Sequence, residues 1–480
     1  MRDHLFGVRE RNFRFQSGSL APPPGTSPRH SLLRRGIVER NTRRRKHHLI
    51  LQQIILGVIA ASASFGVERF PPPDFTTGHQ LPTSYMPPVR PDLYNYIDIG
   101  ALILALGLAA YLILARRSRR GIAGLAITSL IYFGFYREGC ICPIGGIQNV
   151  ALALGNHNYA LPMVAGVFFL LPLLFALFFG RVFCSSVCPL GAAQDVVLRH
   201  PIKLPDWLIH PLSVLPWIYL GAAILYATTG TTFLICRYDP FVAFFRLGGS
   251  AFMLELGAVI LILGIVIGRP YCRFACPYGA ILRLLSPLAK WRVRITPVQC
   301  IQCRLCEESC PFGAINSPTT EKIARSEGRS RLTILLILLP LMVITGGLLG
   351  RLGSVQLSRL DPGVRLAERL WSEERGTAKG SSKESYAFSK LELPNTAAYK
   401  RALNIEHKYA VGSLMFGGWV GLVIGLKLIS LSIRRRRSDY EPDSGGCFAC
   451  GRCYSSCPVE RARLGNPEAM RLLKERECSK

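Results

Sequence analysis

The stretch that decides the fold runs from Cys300 to Ile315 and reads CIQCRLCEESCPFGAI. Its four cysteines are separated by two, two and three residues, and a proline follows the last one. A second stretch from Cys447 to Pro458, CFACGRCYSSCP, has the same spacing and the same closing proline. Two complete copies of one pattern indicate a specific ligand arrangement rather than a chance enrichment in cysteine.

This spacing is typical of ferredoxins that bind two [4Fe–4S] clusters. Three cysteines on a tight loop bind one cluster, and the fourth ligates the other cluster. The pattern therefore predicts two ligand sets that exchange their last members. The first ligand set is Cys300, Cys303, Cys306 and Cys457, and the second ligand set is Cys447, Cys450, Cys453 and Cys310. A pair of zinc sites is the alternative, and the duplicated spacing with its prolines favours clusters.

The rest of the 480-residue chain is both basic and apolar, with a formal net charge of +28 and 49% hydrophobic residues. A basic chain can bind nucleic acid, but here the charges collect beside apolar runs, which favours a membrane protein and no nucleic-acid partner. Eight apolar runs approach the length needed to cross a bilayer. They cover residues 49–66, 97–115, 121–137, 160–180, 211–230, 251–268, 331–350 and 409–431.

The orientation follows from three basic runs, at residues 43–48, 116–120 and 434–437. Basic flanks favour the cytoplasmic side, and eight crossings satisfy all three runs at once. Both cysteine stretches then face the cytoplasm of a bacterial cell, at its inner membrane. The first apolar run, 49–66, has a second interpretation as a cleaved signal peptide.

The expected architecture is mainly α: a polytopic membrane protein of about eight helices with a small cytoplasmic α+β ferredoxin-like domain assembled from two distant segments. The expected segments are a disordered basic cytoplasmic tail at 1–48, a transmembrane core at 49–290, the first ferredoxin half-motif at 291–325, a transmembrane helix at 326–350, an outer segment at 351–408, a transmembrane helix at 409–433, and the second half-motif and tail at 434–480.

The core contains an internal repeat. RVFCSSVCPLGA (181–192) and RPYCRFACPYGA (269–280) both read Arg-x-aromatic-Cys-x-x-x-Cys-Pro-x-Gly-Ala. Cysteines four residues apart share one face of a helix, and duplicated membrane units often hold a site between their halves. The four repeat cysteines, called the core thiols below, can bind a metal, form a redox-active disulfide or simply pack. They are Cys184, Cys188, Cys272 and Cys276.

Three further cysteines, Cys140, Cys142 and Cys236, lie in loops expected on the outer side. A disulfide between these loops and a redox or metal-binding role are both open. Glu255 lies inside the sixth apolar run. An ionisable group within a membrane segment is a candidate functional residue, so Glu255 either takes a proton from a quinol or is solvated near the outer interface.

Other charged or reactive groups are expected to be structural. Arg137, Glu138 and Arg246 are interpreted as local ion pairs or interface anchors, and Cys478 as a free thiol. VRLAERLWSEER (364–375) predicts a short amphipathic helix that docks a partner or lies at the membrane interface. The sequence has no Gly-rich nucleotide fingerprint, catalytic triad or carboxylate pair, so no catalytic residue is predicted.

These motifs, in this order, resemble the NosR/NapH family of polyferredoxin membrane proteins, which accompany nitrous oxide reductase and periplasmic nitrate reductase. The resemblance covers about residues 120–315 and 440–460. It implies cluster ligation by both ligand sets, a paired membrane motif at the core thiols, and electron transfer between the quinone pool or cytoplasmic donors and a partner outside the membrane. Because no Ser/Thr-Gly-Ala-Thr attachment signal occurs, the chain is expected to lack the outer flavin domain of the NosR branch.

The expected function is therefore that of a membrane-bound iron–sulfur electron carrier, a redox component rather than a stand-alone enzyme. Its expected cofactors are two [4Fe–4S] clusters, with a further metal or redox-active thiol site in the membrane core. Its expected surroundings are membrane lipid, a quinol or redox protein partner, and a multi-subunit complex. The alternative is an assembly factor that supplies electrons for the biogenesis of a respiratory metalloenzyme.

Overall fold

A computed structural model describes residues 91–470 except 140–141, 157, 247, 249–250, 296–299, 320–324, 379, 391–392, 434–436 and 468. Every described residue belongs to one compact unit, Thr83–Lys480. The predicted tail at 1–48, the first apolar run, Cys140 and Cys478 all lie outside the described residues.

The described chain is mostly helical, as the sequence predicts. The α-helices are Asp92–Ala110, Arg119–Ser129, Pro143–Gly155, Met163–Phe179, Pro189–Val197, Asp206–Leu212, Leu215–Thr228, Leu234–Tyr238, Pro240–Arg246, Ala251–Val266, Pro270–Phe274, Pro277–Leu285, Leu305–Ser309, Arg325–Leu352, Ser354–Ser358, Pro362–Glu374, Lys383–Ser389, Asn395–Ser432, Arg452–Ser456 and Pro458–Arg463. Wider π-helical turns cover Tyr111–Ala115, Leu130–Tyr136 and Phe183–Val187, and Ser286–Leu288 is a 3-10 turn. Two short strands, Ile315–Asn316 and Glu441–Pro442, pair antiparallel.

Four helical segments are long and apolar enough to cross a membrane. They are Asp92–Ala115, Asp206–Thr228, Ser330–Leu352 and Asn395–Ser432, and they coincide with the second, fifth, seventh and eighth predicted runs. The fourth and sixth runs form the shorter apolar helices Met163–Phe179 and Ala251–Val266. At about 1.5 Å per residue these two fall short of the ~30 Å hydrocarbon layer. The described residues thus contain four candidate spans, and a total of eight stays a prediction.

Four Cys-Pro steps each begin a helix. Cys142, Cys188, Cys276 and Cys457 have extended backbone angles, and the proline that follows each is the first helical residue. Proline excludes the preceding residue from the helical region and is favoured at the first helical position. In all four segments the proline starts a helix rather than interrupting one. Each of these cysteines is thereby held at the N-terminal end of a helix.

The second copy of the repeat, the CxxxCP segment at 269–280, enters the core from the ferredoxin-like domain and returns to it. Gly268, before the second segment, lies against Pro311 and Phe312 of the ferredoxin-like domain. Ser286, after the same segment, donates a hydrogen bond to the carbonyl oxygen of Ser444 at 2.7 Å. Between these two ends Cys276 is buried. The segment therefore leaves the ferredoxin-like domain, enters the helical core and comes back within about twenty residues.

Two long helices, Arg325–Leu352 and Asn395–Ser432, form a hairpin that separates the two cysteine stretches in the sequence. Small residues four apart line its seam: Gly346 and Gly350 on one helix, and Gly417 and Gly421 on the other. A Cβ atom added at Gly417 would overlap the carbonyl oxygen of Gly346. Such small-xxx-small patterns allow the backbones of membrane helices to approach closely.

The segment expected outside the membrane, 351–408, folds against the base of this hairpin. The amphipathic stretch forms the helix Pro362–Glu374, and its apolar residues Val364 and Ala367 pack with Ala402 of the long helix. Tyr409 donates a hydrogen bond to the hydroxyl oxygen of Thr231 at 2.9 Å. The apolar face of this helix is therefore covered by the chain itself.

We expect Gly417→Ala to destabilise the hairpin by about 1–3 kcal/mol, because an added methyl group overpacks a seam that has no room for it. Gly418→Ala is the matched control, since a Cβ there meets only Val343, whose side chain and carbonyl oxygen are each 3.7 Å away. Thermal unfolding in detergent measures both variants. Equal melting temperatures for the two alanine variants would contradict this description of the seam.

Candidate functional site

The two cysteine loops have the same unusual backbone conformation. In the first loop Gln302 and Arg304, on either side of the middle cysteine, have positive φ angles of 51° and 63°. In the second loop Ala449 and Gly451 occupy the same positions, with φ angles of 53° and 74°. Non-glycine residues adopt such angles at a cost, usually where function requires it. Successive turns of this kind aim backbone N–H groups into a concave loop that suits an anionic group.

Each loop continues into a short helix that ends at the fourth cysteine. Leu305–Ser309 ends at Cys310 and Arg452–Ser456 ends at Cys457, and both cysteines have extended angles. The following proline enforces that extended conformation. Each fourth cysteine is thus directed away from its own loop.

The two fourth cysteines cross to the opposite loops. One cavity is lined by all four members of the first ligand set, together with apolar groups such as Ile295 and Val459. A second cavity is lined by all four members of the second ligand set and by Phe312 and Phe448. The pairing of Ile315 with Pro442 and of Asn316 with Glu441 holds the two segments together. The structure thus brings the eight cysteines into the two groups that the sequence predicted.

The thiols of each set surround a space rather than a point. Within the described ranges, no group of three or more His, Cys, Asp or Glu side chains is arranged to hold a single metal ion. A tetrahedral zinc site would draw four thiolates to about 2.3 Å from one ion. Four thiols around a shared cavity with apolar walls fit instead a compact cage with one thiolate at each corner.

Burial disfavours the thiolate form of these cysteines in the absence of a metal. It raises the pKa of the Cys306 thiol to about 11 and that of the Cys447 thiol to about 12. A metal binds the deprotonated form and releases protons. Loading of either ligand set is therefore expected to be more favourable at higher pH.

A buried ion pair lies between the second ligand set and the core. Arg269 makes two hydrogen bonds to the Asp195 carboxylate, from Nε at 3.1 Å and from Nη2 at 2.8 Å. The same guanidinium donates to the carbonyl oxygens of Cys184 and Ser185. It lies 5.5 Å from the ring centre of Phe448 in the second cysteine loop. One side chain therefore joins both halves of the repeat to the ferredoxin-like domain.

The charge of Asp195 depends on this arrangement. Burial alone would raise the pKa of Asp195, but the charge and hydrogen bonds of Arg269 outweigh burial and hold the pKa below its usual value. Arg119 lies 3.8 Å from the same carboxylate and donates to the carbonyl oxygen of Cys450 at 3.0 Å. Sequence reasoning missed Asp195. The corresponding position in the second copy of the repeat holds Arg283, and this difference between the copies was visible in the sequence.

The core thiols are all buried and lie close enough to influence one another. Burial raises the pKa of Cys276 well above its usual value, and the nearby Cys272, Cys188 and Cys184 raise it further. Gln194 donates to the sulfur of Cys272 at 3.2 Å and accepts from the backbone N–H of Tyr271 at 3.0 Å. The two repeats therefore converge as predicted, and polar groups fix the orientation of at least one of the thiols.

Cys142 lies close to one of the core thiols. It lines one cavity together with Cys188, Asp239 and Phe245. Cys142 is a free thiol, and a disulfide between the outer loops stays a prediction, because Cys140 lies outside the described residues.

Two further charged residues that the sequence singles out are Arg137 and Glu255, which belong to neither ligand set. Arg137 forms an ion pair at 2.9 Å with Asp98, a fully buried residue of the span Asp92–Ala115 that sequence reasoning missed. The predicted local ion pair of Arg137 is thus confirmed. Glu255 is exposed in the second turn of the helix Ala251–Val266. That position agrees with the interpretation of Glu255 as a group near the end of an apolar segment.

Comparison with known proteins agrees with this geometry. Residues 161–206 and 250–296 match one 4Fe–4S binding domain family, and residues 293–316 match another. The first family covers both CxxxCP segments, and the second covers the first cysteine stretch. No solved structure is significantly similar to the chain.

Three relatives show the extent of the similarity. YccM of Escherichia coli strain K12, a candidate electron transport protein, is 29% identical over 35% of this chain and 52% of its own length. An uncharacterized protein of Methanocaldococcus jannaschii is 26% identical over 41% of the chain and 82% of its own length. NirI of Paracoccus denitrificans is 28% identical over 45% of the chain and 34% of its own length. The chain thus spans only about half of YccM and a third of NirI.

These similarities define the class first: ferredoxin-type iron–sulfur proteins, including proteins of electron transport. Within that class the homologues also include the regulatory protein NosR and the methylamine utilization ferredoxin-type protein MauN. The resemblance to the NosR/NapH-like ferredoxin-type proteins that the motifs indicated is therefore confirmed.

We expect Asp195→Asn to destabilise the protein by about 3–5 kcal/mol, because it leaves the buried Arg269 without its counter-ion. A carboxylate whose pKa is depressed by folding contributes stability above its unfolded pKa and loses it as the pH falls through its folded pKa. The difference in the free energy of unfolding between wild type and variant should therefore be largest at pH 7 and decrease below about pH 4. Thermal unfolding across this range measures it, with the exposed Asp206→Asn as control. A variant as stable as wild type at pH 7 would refute the role of this pair.

Proposed function

We propose that the chain is a membrane-bound iron–sulfur electron carrier that holds two [4Fe–4S] clusters. The observation that carries this proposal is the exchange of Cys310 and Cys457 between the two cysteine loops. Eight thiols from segments more than a hundred residues apart gather into two groups of four. When bound, the clusters would supply one-electron oxidation and reduction at thiolate-held iron.

The two ligand sets adjoin each other, and the second set adjoins the core. Cys453 of the second set packs against the apolar cluster that contains Cys306 and Cys457 of the first. Cys450 and Phe448 lie beside the Arg269–Asp195 pair, and Arg269 contacts the backbone of Cys184. These contacts support a continuous route from the first ligand set through the second to the core thiols.

On this route the core thiols are the next redox group after the second ligand set. They are buried between two repeats whose helices Pro189–Val197 and Pro277–Leu285 follow Cys188 and Cys276, and Cys142 lines a cavity with Cys188. We propose that these thiols form a metal or redox-active site that carries electrons towards the far side of the membrane. Their match to a 4Fe–4S binding domain family supports that role.

The contacts also support the proposed orientation, with the ferredoxin-like domain in the cytoplasm at the inner membrane. Arg117 and Arg119, in the basic run after the second apolar segment, contact Glu460 and the carbonyl oxygen of Cys450. Positive flanks favour the cytoplasmic side. Thr231 and Tyr409 meet at the opposite end of the helix Leu215–Thr228. On this proposal a quinol or a cytoplasmic donor feeds the clusters, and a redox partner in a larger complex accepts electrons outside.

An assembly role is the second candidate. One relative, NosR, is named as a regulatory protein, and the same relay would equally suit reduction of a metal or thiol during the maturation of a respiratory enzyme. The two candidates differ in the rate at which a quinol reduces the clusters.

We expect the anaerobically purified full chain to contain about eight iron and about eight acid-labile sulfide per molecule in its ferredoxin-like domain. Cys306→Ser and Cys453→Ser should each lower the iron by about four, since each removes a ligand of a different set. Cys478→Ser, which affects no motif, is the control. Zinc in place of iron, or equal iron in all variants, would contradict the assignment.

The function itself is tested with inverted membranes under anaerobic conditions. We expect a quinol to reduce the clusters rapidly, seen as bleaching of their visible absorbance, and Cys306→Ser membranes to show a smaller change. Slow reduction by a low-potential chemical donor alone would exclude quinol coupling and favour the assembly role.

A further inference from the structure

A polar cavity of about 110 Å³ lies between the second CxxxCP segment and the ferredoxin-like domain. Three guanidiniums line it, those of Arg181, Arg273 and Arg283, against the single carboxylate of Asp443. Its other walls include Trp217, Phe274, Phe312, Phe448 and the core thiols Cys272 and Cys276. The cavities of the two ligand sets hold no comparable excess of charge.

This charge results from a broken symmetry in the internal repeat. Arg181 and Arg269 occupy the same position in the two copies. A Cβ atom at Gly191 of the first copy would lie 3.2 Å from Nη1 of Arg269, and one at Gly279 of the second would lie 3.4 Å from Nη2 of Arg181. Each arginine is therefore inserted into the opposite copy in the same way.

The partners of the two arginines differ. Asp195 binds Arg269, and the residue at the corresponding position of the second copy is Arg283. The pKa of Arg283 is lowered first by burial and further by the charge of Arg181, against the opposing effect of Asp443. Where the first copy has a salt bridge, the second copy places two positive charges beside one cavity.

Arg181 forms no salt bridge with a described carboxylate, and its Nη2 donates to the sulfur of Cys184 at 3.8 Å. Arg181 is 4% exposed, and its Nε has no hydrogen-bond partner. Its Nη1 donates to the carbonyl oxygen of Gly445 at 3.0 Å, and its guanidinium stacks 4.1 Å from the ring centre of Phe448. Asp443 accepts from the backbone N–H of Gly445 and forms no salt bridge with a described residue. A buried cation without a counter-ion is strongly unfavourable.

We propose that this cavity binds a phosphate-bearing anion. Guanidinium forks match the oxygens of phosphate, and a volume of about 110 Å³ has room for several groups the size of a water molecule. A neutral ring such as a quinone would leave the charge uncompensated. Ile209, Pro216 and Trp217 on the cavity wall belong to the candidate span Asp206–Thr228. The phosphate therefore comes either from solution or from the headgroup of an acidic lipid.

The test uses the full-length protein with its clusters, purified anaerobically. Thermal unfolding is measured in detergent with inorganic phosphate or chloride at equal ionic strength, and in nanodiscs of phosphatidylglycerol or phosphatidylcholine. We expect phosphate to raise the melting temperature more than chloride does if the source is free phosphate, and phosphatidylglycerol to raise it more than phosphatidylcholine does if the source is lipid. No difference in either comparison overturns the proposal.

Two variants of one residue tie the effect to the cavity. Arg283→Asp supplies in the second copy the carboxylate that Asp195 supplies in the first, so the variant should be stable and no longer respond to the anion. Arg283→Gln should raise the half-saturating anion concentration about tenfold or more. Arg294→Gln, an exposed residue outside the cavity, should respond as wild type does. If Arg283→Asp does not fold, Arg283→Gln decides, and an unchanged half-saturating concentration in that variant refutes the site.

Discussion

The exchange of the fourth cysteine between two remote loops is the constraint on which the rest of this structure depends. Cys310 can join the second loop, and Cys457 the first, only if both stretches lie on the same side of the helical core. The long hairpin between them satisfies that requirement, because two antiparallel helices return the chain to its starting face. The position of the ferredoxin-like domain on one side of the core follows from this closure.

Arginine side chains join the ferredoxin-like domain to the core. Arg269 reaches from the second repeat to Asp195 in the first and lies against Phe448. Arg181 reaches in the opposite sense and contacts Phe448 and Gly445. Buried guanidiniums with several donors specify geometry more strictly than apolar packing does. The two halves of the repeat are therefore locked to each other and to the same loop, which keeps the second ligand set beside the core thiols.

Much of the site was readable from the sequence because its chemistry is local. The spacing within each cysteine stretch and the prolines after Cys310 and Cys457 determine which thiols share a loop and which one is directed away. The serial spacing of Gly346, Gly350, Gly417 and Gly421 also carried a signal for close helix packing. The asymmetry between Asp195 and Arg283 was visible too, but its meaning required knowing that the two copies insert their arginines into each other.

By itself, the sequence determined the mainly helical class, the spacing within each cysteine stretch and the motif of each repeat copy, since each depends on residues close together in the chain. Only the tertiary structure decided that Cys142 approaches Cys188 inside the core, that several apolar runs form short helices, and that Arg269 finds Asp195. Hydropathy measures how apolar a segment is and not how deeply the segment enters the helical core. Depth and pairing are set by contacts between segments distant in the chain, which no local pattern encodes.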